Sequence, residues 1–181
     1  MSITPGTYTL GPDNAKLVVN TGRAGAAAKA GHDLVIEVTK WNGTLELGED
    51  PSASSVTLTA DGGSLRVREG KGGIQSLGDD DKEGIEQTID DEILKSAAIE
   101  FRSAAVQAAP GGDHLRVSGE LKLASNERPL EFELALAPDG RLTGSATVKQ
   151  SDWGIKPYST LFGTLKVADE VKVTIDANIG G

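Results

Sequence analysis

The chain has 181 residues, 38% of them hydrophobic and none of them cysteine, which suits one domain with its own core and excludes disulfides and thiolate metal sites. A net charge of −9 disfavours binding to nucleic acid through phosphates and docking on an anionic membrane through a polybasic patch. Its apolar runs span only a few residues, far short of the about 20 that a transmembrane helix needs.

The opening segment, Met1-Ser2-Ile3-Thr4-Pro5-Gly6, has neither the basic region nor the apolar region of a secretion signal, so the expectation is a cytoplasmic protein. Ala24–Ala30 reads as a short helix or an irregular stretch. Period-two alternation then begins. Leu34, Ile36 and Val38 alternate with Val35, Glu37 and Thr39, and Leu45 and Leu47 with Thr44 and Glu46. Val56, Leu58 and Ala60 alternate with Thr57 and Thr59. Trp41-Asn42-Gly43 and Asp61-Gly62-Gly63 read as turns between these runs.

Residues 79–92 hold eight acids against Lys82, and so carry −7 of the chain's −9. From Lys82 to Leu94 the period changes, because Ile85, Ile89 and Ile93 recur at helical spacing. Asp80 with Glu83 resembles a capping-box start. The spacing predicts one amphipathic helix near 82–94. Alternation returns at 115–123, 130–136 and 141–149, which predict a meander with Pro110-Gly111-Gly112-Asp113 before it. Asp139-Gly140 is the hairpin turn within it. Gly119, Gly144 and Ala146 on the inward faces suggest bends or room. Val171, Val173 and Ile175 close the series. The pattern is all-β and antiparallel, with about eight strands and one helix in a single domain spanning 1–181. A closed barrel buries such a sheet face without leaving edges, and a sandwich is the competing architecture.

The chemistry-bearing residues are few. His32 precedes a strand, and Asp33 beside it points to the other face, so a hydrogen-bonding role outweighs catalysis. His114 reads as a solvated loop residue. Asp79, Asp81, Glu83 and Gly84 fall in a partial calcium-loop register that ends on Asp90 instead of glutamate, and a solvated helix face is the better reading. Gly70-Lys71-Gly72-Gly73 lacks the ending of a phosphate loop and reads as a flexible turn. Asn42-Gly43-Thr44 is a formal glycosylation triplet better read as a hairpin turn. No convergent polar set stands out, so the expectation is a protein that is not an enzyme and that needs no cofactor or metal.

Leu115-Arg116-Val117-Ser118-Gly119-Glu120-Leu121-Lys122-Leu123 followed by Arg128-Pro129-Leu130-Glu131-Phe132 resembles the strand–turn–strand signature of the YceI-like family. Ser151-Asp152-Trp153-Gly154-Ile155 is similar to that family's Ser-Asp-Phe-Gly-Ile segment. Tyr8-Thr9-Leu10-Gly11-Pro12-Asp13, the step from Glu92-Ile93-Leu94 to Ile99-Glu100-Phe101, and Val167-Ala168-Asp169-Glu170-Val171-Lys172-Val173 resemble its opening, its helix-to-strand step and its last hairpin. The resemblance implies a lipocalin-like barrel that binds or carries a polyisoprenoid or similar amphiphilic lipid, with no catalytic residues. The chain departs from the family at Ala124-Ser125-Asn126-Glu127, where a His-Gly-Val-Thr turn is usual. Many members are exported.

The expected ligand is a long apolar chain threading between sheet and helix. The inward candidates are Leu34, Ile36, Ile85, Ile89 and Phe101, continuing with Leu121, Phe132, Leu134, Trp153 and Phe162. Ordinary packing is the commoner fate of such residues. Tyr158, Ser159 or His32 is expected at the mouth, facing a head group. The competing reading is a structural or protein-interaction β domain without a small ligand. A homodimer is compatible with either.

Overall fold

A computed structural model describes residues 4–26, 28–73, 76–110, 114–160 and 165–180. The first strands are β1 (Gly6–Leu10), β2 (Ala15–Asn20) and the short β3 (Arg23–Ala24), followed by a 3₁₀ turn at Ala28–Ala30. Next come β4 (Asp33–Val38), β5 (Trp41–Leu47), β6 (Ser55–Asp61) and β7 (Leu65–Lys71). Helix α1 (Asp79–Thr88) runs on into a π turn at Ile89–Leu94. Strands β8 (Ala98–Ala108), β9 (His114–Leu123), β10 (Asn126–Leu136) and β11 (Arg141–Lys149) follow. The short β12 (Ser159–Thr160) and β13 (Leu165–Val167) lead to β14 (Glu170–Asn178).

Among the described residues, eleven strands form one sheet in the order β1-β5-β6-β8-β9-β10-β11-β14-β2-β4-β7, and β12, β13 and β3 form a second, small sheet. Every pairing is antiparallel. The alternation therefore reads correctly, but the strand count of about eight is too low. β2, with Leu17-Val18-Val19, and β7, with Arg-flanked Val67, are too short or too charged to stand out by periodicity alone.

The chain passes directly from β4 near one end of the ladder to β5 near the other, so the sheet must curl. The corner is tied by Thr39 N–H donating to Ser64 O (3.0 Å), Asp61 N–H to Lys40 O (2.9 Å) and Lys40 N–H to Ser64 Oγ (3.1 Å). Ser64, 2% exposed, is thus fully buried yet satisfied. The turn lies at Thr39-Lys40. Trp41-Asn42-Gly43, read from sequence as a turn, is instead the start of β5. A Cβ at Gly43 would sit 3.2 Å from Thr57 O on the adjacent strand, a tight fit that glycine avoids.

Edge strands β1 and β7 do not pair with each other, and the barrel is incompletely closed. Helix α1 lies against β7, where the Glu86 carboxylate accepts the Val67 N–H at 2.9 Å. That bond satisfies a donor that an edge strand would otherwise leave open. The helix starts earlier than predicted, and its cap is Asp81 accepting Gly78 N–H at 3.0 Å, not Asp80 with Glu83. Asp79, Asp81 and Glu83 all lie in the helix, so the calcium-loop register has no loop to occupy.

The 115–149 meander forms as read. Asp139-Gly140 makes its turn, with Gly140 at φ +91° and Arg141 N–H bonded to Asp139 Oδ1 at 3.0 Å. His114 is half-buried at the start of β9, where a register with Ala135 draws it out of the loop and into the ladder.

Candidate functional site: an apolar hollow in the barrel

The inward faces do not meet. They surround a cavity of about 820 Å³, within the range of about 300–1,000 Å³ typical of small-molecule sites. Leu34, Ile36, Phe101, Leu121 and Leu134 line it and are buried; Ile85, Ile89 and Phe132 line it and are only half-buried. Half-burial of large aliphatic groups that point inward is the signature of a space that side chains leave unfilled. The rings of Phe101 and Phe132 stand 5.2 Å apart at 59° across the wall.

Two of the sequence candidates fall elsewhere. Phe162 lies outside the described residues. Trp153 does not line the cavity: it is buried in the wall, where its indole N–H donates to Leu121 O at 2.8 Å. The reason lies in the sheet. β10 pairs with β11 only from Glu133 onward, while β9 stays paired with β10 as far as Asn126. The two strands therefore part towards one end of the barrel, and the 3₁₀ turn Gln150–Trp153 packs on β10 there. Asn126 Nδ2 donates to Trp153 O at 2.7 Å, and Gly154 ends the turn at φ +74°. The Ser-Asp-Trp-Gly-Ile segment thus braces a split wall. Its neighbours Gln150 and Ile155 do reach the cavity.

Of the three small inward residues, Gly144 and Ala146 line the cavity and Gly119 does not. Gly119 permits the bulge at Ser103/Ala105, since a Cβ would come 2.2 Å from Arg102 O. Gly144 admits Leu134, whose Cδ2 would lie 2.6 Å from a Cβ.

Several lining residues escape the sequence reading. Leu58, Leu123, Leu130, Val171 and Val173 share the inward register of strands already identified, and Ile93 completes the helical stripe. Alternation could have found these. The polar rim could not be found that way. Arg23, His32, Tyr158 and the pair Asp80 and Asp81 come from four separate places in the chain. Tyr158 is 45% exposed. Its carbonyl accepts Val167 N–H at 2.9 Å, which carries it beside Arg23 through the β13–β3 pairing. Ser159 does not line the cavity.

Asp33 turns away from His32, as strand geometry requires, and pairs with Arg23 at 3.0 Å. The glycine-rich segment that reads as a flexible turn is packed tightly. A Cβ at Gly72 would lie 2.7 Å from the Arg23 guanidinium, and one at Gly73 2.6 Å from His32 Nε2. Both glycines have positive φ, +77° and +78°.

A curled antiparallel sheet around an apolar hollow, with a helix along the open edge, is the architecture of a lipocalin-like binding barrel. The comparison with known families agrees. The YceI-like domain profile matches residues 8–179, and the chain belongs to that family. Among solved structures it is similar to Burkholderia cenocepacia BcnA, with 17% identity, a TM-score of 0.67, and coverage of 90% of this chain and 94% of that one. It is also similar to the Campylobacter jejuni YceI protein, with 15% identity, a TM-score of 0.51, and coverage of 79% and 83%. A mutant CJ YceI protein holding a monobromobimane guest matches at 12% identity and a TM-score of 0.56, with coverage of 79% and 83%. At these identities the structures establish the fold. No curated protein matches the chain.

Proposed function

We propose that this chain is a non-catalytic carrier that holds a long apolar lipid of isoprenoid type in the barrel lumen. The carrying observation is the hollow of about 820 Å³ walled by half-buried leucine, isoleucine and valine. Each methylene moved from water into it contributes about 0.8 kcal/mol, so a few isoprene units give substantial affinity. The family and the fold support lipid binding in general; the isoprenoid class rests on the family resemblance and on the aliphatic character of the wall. The non-catalytic reading rests on the rim, where several polar groups are tied to one another or to backbone. Thr21 Oγ1 accepts Leu34 N–H at 3.1 Å, Arg23 holds Asp33, and Asp81 caps Gly78.

Organic extraction of purified protein followed by mass spectrometry tests this reading. The expected result is a prenyl-type lipid at close to one per chain. Ala146→Phe, which projects a ring into the lumen, is expected to reduce that ratio strongly while the protein still melts cooperatively. Protein that carries no lipid and takes up no fluorescent prenyl probe would instead indicate a packed or protein-binding β domain.

A further inference from the structure

We infer that the rim of the cavity selects an uncharged head group and rejects a phosphorylated one, with Asp33 as the residue that sets this preference. The inference rests on the carrier reading above and adds the head-group class to it.

Two features of the rim could attract an anion, and the protein's own carboxylates occupy both. The first is Arg23, the one Arg or Lys among the described residues lining the cavity. Its Nε donates to Asp33 Oδ1 at 3.0 Å, its Nη2 to Asp33 Oδ2 at 3.4 Å, and its Nη1 to Gly31 O at 3.0 Å. Gly72 covers the same guanidinium so closely that a Cβ would come within 2.7 Å of Nη1. A planar guanidinium held by both carboxylate oxygens has satisfied the geometry that would otherwise grip a phosphate. The second is the N-terminus of α1, whose positive pole ordinarily suits an anion. Here Asp81 takes the Gly78 N–H at 3.0 Å, and Asp79 and Asp80 fill the rest of the first turn.

The charge balance agrees. Asp33 pairs with Arg23, and Asp80 and Asp81 line the cavity with His32, so among the described residues here carboxylates outnumber basic side chains three to two. A diphosphate placed here meets repulsion in a chain already at −9. What the rim offers instead is the Tyr158 hydroxyl, which can donate to or accept from a carbonyl or hydroxyl.

The test compares a prenyl alcohol with the diphosphate of the same chain length, titrated against the protein while its tryptophan fluorescence is followed. The alcohol is expected to bind about tenfold tighter or more, with the gap narrowing as salt is raised. Asp33→Asn frees the guanidinium and is expected to improve diphosphate binding about three- to fivefold, leaving the alcohol within about twofold. Asp80→Asn, at an exposed position in the first turn of the helix, is expected to shift the ratio the same way and serves if Asp33→Asn melts early. Equal affinity for both ligands in the parent protein, or an unchanged ratio in both variants, overturns the head-group inference alone. Folded protein that binds neither ligand overturns the carrier reading and this inference with it.

Discussion

The two ends of the barrel are built from the same strands and the same residue types, yet one is solid and the other hollow. On β9, Leu115 and Val117 are 0% exposed and belong to the buried core with Val106 and Leu136; six residues on, Leu121 and Leu123 line the cavity. On β10, Leu136 is buried while Leu130 and Phe132 are half-exposed to the cavity. The difference is in the backbone. At the solid end β8 to β11 form an unbroken ladder. Towards the other end β10 and β11 separate after Glu133↔Ser145, and the Trp153 turn together with helix α1 covers the gaps. The hollow exists because the frame is held apart, not because its side chains are small.

The largest test of that contrast is a pair of matched truncations. Leu115→Ala removes a fully buried side chain at the solid end, with no adjacent space to relax into, and is expected to cost about 3–4 kcal/mol in denaturant unfolding. Ile89→Ala on the helix removes a side chain that already borders a void, so only a partial transfer term is lost, about 1 kcal/mol. If the two variants lose equal stability, the ends are not packed differently. Ile89→Ala is expected to enlarge the lumen and preserve lipid uptake.

Next in size is a comparison of the two indoles. Trp153 Nε1 donates to Leu121 O, whereas Trp41 Nε1 is buried and has no partner among the described residues. Tryptophan to phenylalanine removes the same volume at both. At 153 it also strands a carbonyl in the wall, so Trp153→Phe is expected to cost about 1–2 kcal/mol more than Trp41→Phe. Chemical denaturation of the two variants side by side measures the difference. If Trp153 braces the wall as the bond implies, its loss also loosens the β9–β10 turn, visible as faster amide exchange there.

These contrasts also explain how far the sequence could be read. Strand faces and the helix were legible, because burial on one face imposes period two on β9 and period 3.6 on Ile85, Ile89 and Ile93. The lining set was largely legible for the same reason, since an inward residue faces either core or cavity. Which of those two it faces was not legible. Leu115 and Leu121 are identical residues at equivalent positions on one strand, and only the parting of β10 from β11 distinguishes them. Trp153 was misread as lining because an aromatic in an apolar context carries no mark of being a brace. The rim was opaque in another way: Arg23 and Asp33 meet through a turn that no periodicity describes, and the glycines at 72 and 73 gave no hint that they pack on side chains.

A smaller effect, readable in acid, concerns the same brace. The Ser151 hydroxyl donates to Asp169 Oδ2 at 2.5 Å and holds that carboxyl below its ordinary value of 3.8, helped by the Ser151 N–H and the charge of Lys149. A carboxylate whose native pKa is depressed contributes stability that is fully present above its unfolded pKa and is lost as pH falls through the native one. The stability gap between the parent protein and Ser151→Ala is therefore expected to be constant near neutrality and to close below the ordinary aspartate range. Urea midpoints measured at several pH values check this. A gap that persists unchanged at the lowest pH assigns the Ser151 contribution to something other than the ionised Asp169.

The smallest effect lies in the turn that the brace grips. Leu123 pairs with Asn126, leaving a two-residue loop in which Ala124 and Ser125 have φ of 51° and 68°. That is the backbone of the hairpin turns whose twist matches the flanking strands, and glycine or asparagine ordinarily fills it. A residue with a Cβ in this region costs about 1 kcal/mol, partly offset because glycine loses more freedom on folding. Ala124→Gly is therefore expected to stabilise the protein by about 0.5 kcal/mol. The same change at Ala135, in the extended part of β10, is expected to destabilise it by about the same amount or more. Opposite signs for one chemical change would show that the strained pair is retained at the hollow end, where Asn126 must present its amide to Trp153 O. Like signs would mean that the turn's strain is relieved some other way, and that the brace does not depend on a fixed register at Asn126.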